Sequence, residues 1–255
     1  IVIVYNMVFY QAGSFSLMLF SFVVAVLLFY FFLYFSKNKL SALCFSYVNM
    51  AWLGFPFAIA LFGTKISPAM VALYIGGSIF GNLWAVTAVS QTPLAFSFIL
   101  KKVLCAPPMI ALILALIFRS VGVQHWSQHD LIDVIYSAAK FGMSFSGMCV
   151  LGMWLRHTKV EKADLWQSSQ TALLKLACGV VLCGLSYRYL AIPDIEQNIG
   201  VMFLLFCLPP AANIVALETH YQGTGMSAKY IASGTIISCA VVSIYGLLLH
   251  VFAVI

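Results

Sequence analysis

The chain has 255 residues, of which 63% are hydrophobic and only 8% charged, and its mean hydropathy is +1.03. Soluble domains carry about 25% charged residues, so this composition excludes an ordinary water-soluble globule and makes lipid the main solvent. The net charge of +6 does not indicate a nucleic-acid partner, because the basic residues lie between apolar runs rather than on one face, as topology signals do.

A membrane-crossing helix needs about 20 predominantly apolar residues, and the chain offers eight candidate spans. In order they cover residues 14–35, 40–62, 67–90, 103–118, 131–155, 165–185, 199–217 and 228–252. Residues 1–12 are apolar but too short to cross, and read as the tail of an earlier helix. Loops are short, which predicts a single membrane domain. The seven cysteines lie mainly in apolar segments without a CxxC pair, so free thiols packed as small hydrophobes are expected, with no disulfide framework. No metal spacing and no GxxxxGK phosphate loop occurs, so neither a metal, another cofactor nor ATP-driven transport is predicted.

Lys37, Lys39, Lys101, Lys102, Arg156, Lys159, Lys162 and Lys229 fall on one side of this topology, against Lys65, Arg119 and Arg188 on the other. The richer side is assigned to the cytoplasm, which places the C-terminus outside. Lys140 and Lys175 fall inside spans, at depths read as within snorkelling reach, and both are candidate anion-attracting groups. No Asp or Glu sits deep in any expected span; Glu218, at the end of the seventh, comes closest. A carboxylate relay for protons or Na⁺ is therefore not expected.

Two spans are interrupted. The second contains Asn49, Gly54 and Pro56, and the seventh contains Pro209, Pro210 and Asn213. Proline removes a backbone donor and clashes with the preceding turn. Backbone groups freed in this way persist at membrane depth only where they are buried in protein or line a wet cavity. Paired interrupted spans point to a transporter binding site. Taking residues 1–95 as the remainder of one half and 96–255 as the other, the Pro-Pro span is the fourth of five. Restoring two N-terminal helices makes the Asn49 span fourth as well. That spacing predicts a ten-helix inverted-repeat fold, all α and integral to the membrane, of which about eight helices are present.

The chain resembles the auxin efflux carrier family, including its bacterial malonate-transporter-like members, within the bile-acid-symporter-like superfamily. The family pattern N-x-G-F-L-G-x-P is matched at Asn49, Leu53, Gly54 and Pro56, and L-P-P-A-x-N is complete from Leu208 to Asn213. Asn82, in FGNLW, matches a common fifth-helix Asn, and TALLKLACGVV resembles the eighth helix around Lys175. Ala51 and Trp52 depart from the pattern, as does the lack of a Pro soon after Lys175. The resemblance implies two broken helices crossing near the midplane and elevator-type transport of small organic anions such as auxin or dicarboxylates. It also implies Asn49, Gly54, Pro56, Asn82, Pro209, Pro210 and Asn213 as substrate-binding residues. A bacterial inner-membrane location follows, with a possible homodimer through scaffold helices. No enzymatic activity is implied.

Two alternatives stand beside this. A sodium-coupled bile-acid-type symporter would need carboxylates at a cation site. A membrane-embedded acyltransferase would use His125 and Asp130, an H-x₄-D pair in a polar loop, where Asp130 reads more simply as a helix N-cap. Gly77 and Gly81, spaced as GxxxG, are expected to permit close helix packing, and Pro107-Pro108 to open the fourth span.

Overall fold

A computed structural model describes residues 1–8, 14–90, 97, 101, 104–122, 130–156, 158–222 and 224–252. It is 86% helical and has no strand among the described residues, the architecture of an all-α membrane protein. Four helical segments are long and apolar enough to cross a bilayer: Phe15–Ser36, Thr64–Val89, Lys162–Tyr189 and Ser227–Val251.

A short helix α1 (Val2–Val8) precedes α2 (Ser14–Ser36). Helix α2 ends where Lys37 adopts a left-handed conformation (φ 51°) and its N–H closes the last turn on the Leu33 carbonyl. Asn38 then caps α3 (Lys39–Ser46), its side-chain oxygen accepting from Ser41 N–H at 3.1 Å, which satisfies one of the orphan donors of a helix start. The second span breaks after α3, resumes as a π-helical turn (Met50–Gly54) and finishes as α4 (Phe55–Phe62) with Pro56 in its first turn. Gly63, at φ 76°, ends it; a side chain would be strained there.

Helix α5 (Ser67–Phe80) runs through a second π turn (Gly81–Ala85) into α6 (Val86–Val89). Helix α7 (Pro107–Ser120) opens on Pro107 and Pro108, as expected, but is only 14 residues long. Helix α8 (Asp130–Arg156) has 27 residues, and α9 (Lys162–Tyr189) has 28 and is anchored by a reciprocal capping box between Glu161 and Asp164. The seventh span is two pieces, α10 (Ile195–Cys207) and α11 (Asn213–Gln222), and α12 (Ser227–Val251) follows.

The burial pattern is that of a protein in lipid. Large apolar side chains such as Phe15, Leu27, Tyr34, Leu173, Val180 and Leu247 point outward, while Ser21, Ser46, Ser78, Ser168, Ser233 and Ser238 are buried. Small polar residues allow close helix approach and bond across or along helices; Ser168 and Ser233 link α9 to α12 through their hydroxyls at 2.7 Å. Helix α1 is tied to α8, with Tyr5 stacked on Tyr136 and Asn6 donating to the Tyr136 hydroxyl at 3.1 Å.

Candidate functional site

The two breaks meet. Val48 and Pro210 face each other in an isolated antiparallel bridge. Its two hydrogen bonds come from the flanking residues: Asn49 N–H donates to Pro209 O at 2.9 Å, and Ala211 N–H to Tyr47 O at 2.8 Å. In this register the facing pair exchanges no bond itself, so Pro210 occupies a position where a missing N–H costs nothing. Leu208, preceding a proline, is forced out of the helical region (φ −79°, ψ 148°) and ends α10. Each residue of Leu-Pro-Pro-Ala thus has a part in the crossing.

Chain direction gives the crossing two chemically opposite sides. Helices α3 and α10 arrive at it, so two C-terminal ends converge. The pieces Met50–Phe62 and α11 depart from it, so two N-terminal ends converge. A helix end carries roughly half an elementary charge, positive at the N-terminus and negative at the C-terminus.

The N-terminal side holds a cavity of about 130 Å³ lined by Tyr47 to Trp52, Tyr74, Gly77, Ser78 and Ala211 to Asn213. Asn49 is 5% exposed. Its side-chain oxygen accepts from Trp52 N–H at 3.2 Å and caps the π turn, which leaves the amide nitrogen at the other end. That nitrogen is buried with no partner. A buried donor without an acceptor costs about 1–3 kcal/mol, a cost that a ligand oxygen would remove. Asn213, across the cavity, donates to the Tyr47 hydroxyl at 3.1 Å. No carboxylate lines this cavity.

The site residues expected from the sequence divide between positions. Asn49 and Asn213 come together at the N-terminal cavity. Pro209 and Pro210 line a cavity on the opposite side. Gly54 is packed between side chains: a Cβ there would lie 2.5 Å from Met70 Cε and 2.9 Å from Leu208 Cδ1. Pro56 sits one turn into the outgoing piece. Asn82, in the second π turn, donates to Ser78 O at 2.8 Å, one turn from the cavity wall.

Lys175 departs from the snorkelling expectation. It lies midway along α9, is 4% exposed, and donates to Leu208 O at 2.9 Å. A 28-residue helix is about 42 Å long, so its centre is beyond the reach of either interface. Lys140 stays half-buried on α8 with its ammonium 5.3 Å from the Tyr136 ring centroid, away from both cavities.

Glu218 also differs from expectation. The seventh span does not end at Leu217; α11 continues to Gln222, and Glu218 is fully buried. Its carboxylate accepts from Thr224 Oγ1 at 2.5 Å, Met226 N–H and Ser227 N–H at 2.8 Å each, and the Ser227 hydroxyl. It therefore acts as a cap for the start of α12 supplied by the preceding helix.

Tyr47 was not among the residues singled out from the sequence. Its ring lies flat against Gly81, where a Cβ would collide with it, while Gly77 makes room for Met50. The GxxxG spacing thus serves packing against the crossing segment. Among the described residues there is no group of three or more His, Cys, Asp or Glu that could hold a metal. Asp130 begins α8, and His125 lies outside the described residues. Comparison of the chain with protein-family models and with curated proteins gives no match.

Proposed function

We propose that the chain is a secondary carrier of small organic anions and that the anion binds in the N-terminal cavity at the crossing. The observation that carries this reading is the unpartnered amide nitrogen of Asn49, buried in the wall of a cavity lined by no acid, where two helix N-termini converge. Convergent positive helix ends favour an anion, and asparagine amides donate to a carboxylate without the desolvation cost of a buried cation. In a cavity of this size, a ligand with few heavy atoms, such as malonate, fits better than a bulky one.

The ten-helix inverted repeat, with eight spans in this chain, belongs to the same reading, as does the resemblance to auxin efflux carriers. So do a bacterial inner-membrane location, an outward C-terminus and a homodimer through scaffold helices. In the carrier, the crossing and its supporting helices slide as one body against the scaffold, presenting the cavity to each side in turn. A sodium-coupled symporter is disfavoured because both Glu218 oxygens already face protein donors, an arrangement that repels a cation.

Reconstitution of the intact gene product in proteoliposomes tests the proposal. Labelled malonate should exchange against carboxylates without Na⁺, and Asn49→Ala and Asn213→Ala should each abolish exchange. Folded protein that exchanges no anion, or exchange that survives both substitutions, overturns it. His125→Ala should leave exchange nearly intact, whereas in a membrane-embedded acyltransferase it would abolish acyl transfer.

A further inference from the structure

The opposite side of the crossing is its negative side. The last turns of α3 and α10 both end there, and each helix end carries roughly half a negative charge. Together they come to about one elementary charge. Lys175 brings the matching positive charge from a third helix. Its ammonium donates to Leu208 O, at the end of α10, at 2.9 Å. It also lies 5.9 Å from the ring centroid of Phe45, in the last turn of α3, a distance at which a ring face attracts a cation.

No acid takes over this role. Among the described residues no carboxylate lines the cavity of about 320 Å³ that Lys175 shares with Cys44, Cys207 and Pro209. The acids at the rim have partners of their own: Glu161 pairs with Lys229 at 3.6 Å, and Asp164 accepts from Glu161 N–H at 2.9 Å. Asp164, the nearer of the two along the chain, lies three turns before Lys175 on α9, about 16 Å along the axis. The partners of the buried ammonium are therefore two helix ends and a ring, and backbone carbonyls are usual partners for a charge at membrane depth.

In membrane carriers, unwound carbonyls and the C-terminal ends of broken helices are where a coupling cation binds. We propose that Lys175 is a built-in counter-cation: its ammonium fills the place between the two helix C-termini that a cation from solution would otherwise take. Its charge is spent inside the protein rather than offered to an anion. One turn further along α9, Gly179 lets Phe206 of α10 pack close, since a Cβ there would lie 2.7 Å from Phe206 Cγ. The ammonium is thus carried on a helix packed against the crossing and stays with it. That exchange needs no external cation at this side rests on the carrier reading above; the occupancy of the place does not.

Chemical rescue tests the assignment. Lys175→Ala removes Cγ, Cδ, Cε and Nζ, atoms that n-propylammonium replaces, and 1-propanol is the uncharged counterpart. Lys175→Ala should lower the apparent Tm in detergent by about 6 °C or more, as breaking a buried charge arrangement does. n-Propylammonium chloride at about 50 mM should recover about half of that loss or more and leave the parent unmoved, as binding to an emptied site does. 1-Propanol and choline chloride at the same concentration should recover none. Equal recovery by the three additives, recovery by none, or a Tm unchanged by the substitution overturns the proposal. Should Lys175→Ala not fold when purified alone, the same comparison is read as the yield of monodisperse protein with each additive present from extraction onward.

In proteoliposomes the variant should lose malonate exchange and regain it with n-propylammonium. Exchange at the parent's rate in Lys175→Ala without an added cation overturns the role in transport. The two readings fail separately. Recovery of the Tm by n-propylammonium alone, in a protein whose parent exchanges no anion, upholds the counter-cation and overturns the carrier. A parent that exchanges malonate, with no such recovery in the variant, does the reverse.

Discussion

Gly81→Ala tests how the crossing is held. Gly81 has ordinary helical dihedrals (φ −56°, ψ −42°), so alanine is not strained there, and in a helix the exchange alone should stabilise by about 0.5–1 kcal/mol. The added Cβ, however, would collide with the Tyr47 ring, too close to Cζ, Cε2 and the hydroxyl for any of them to stay in place. That ring cannot easily retreat, because Tyr47 O is bound to Ala211 N–H and its hydroxyl to Asn213. Overpacking of this kind costs about 1–3 kcal/mol, leaving a net loss of up to about 2.5 kcal/mol. At about 2–4 °C per kcal/mol for a chain of this size, the apparent Tm should fall by up to about 10 °C. Gly184→Ala is the matched control, since nothing lies within 4 Å of its Cβ position; it should raise the Tm slightly. Both are read by thermal unfolding in detergent. If Gly81→Ala is as stable as Gly184→Ala, the ring does not brace the crossing and the reasoning fails.

Asn49→Asp should keep the cap on Trp52 N–H yet abolish malonate exchange, because the unpartnered amide donor becomes a carboxylate oxygen. Asn49→Ala should lose the cap as well, lowering stability by about 0.5–2 kcal/mol in the same melt. Glu218→Ala should cost about 3 kcal/mol or more, since four donors at the head of α12 lose a charged acceptor; faster proteolysis near residue 226 would report it. Lys140→Met should change stability by less than about 1 kcal/mol, because among the described residues its ammonium faces a ring at 5.3 Å and no carboxylate.

The breaks were legible because proline and asparagine act locally. Pro210 denies α10 a donor, and the extended Leu208 follows from the proline after it. Asn49 was singled out as a substrate-binding donor, and the structure adds that its side-chain oxygen caps the π turn. The partition of the crossing into two sides was not legible. Asn213 and Pro210 are three residues apart yet line different cavities, and only the opposing segment at Tyr47–Asn49 decides which faces which. Glu218 was misplaced because hydropathy ends a span at the first charge, whereas a buried carboxylate with four donors extends it. Lys175 was taken for a residue able to reach the interface because sequence windows give no account of what a side chain finds nearby; here it finds the Leu208 carbonyl at the end of α10.

The bridge at the crossing joins residues 47–49 to residues 209–211, and that separation bears on how the protein is made. When the Asn49 segment leaves the ribosome, its partner is some 160 residues from being synthesised. At about 5–20 residues per second, the Tyr47 carbonyl and Asn49 amide wait on the order of ten to thirty seconds for their donor and acceptor respectively. Lipid offers such groups nothing. The first break must therefore be sheltered during insertion, by water at the translocon or by a chaperone, and a nascent chain halted before Pro209 should remain open to surveillance proteases until the second break arrives.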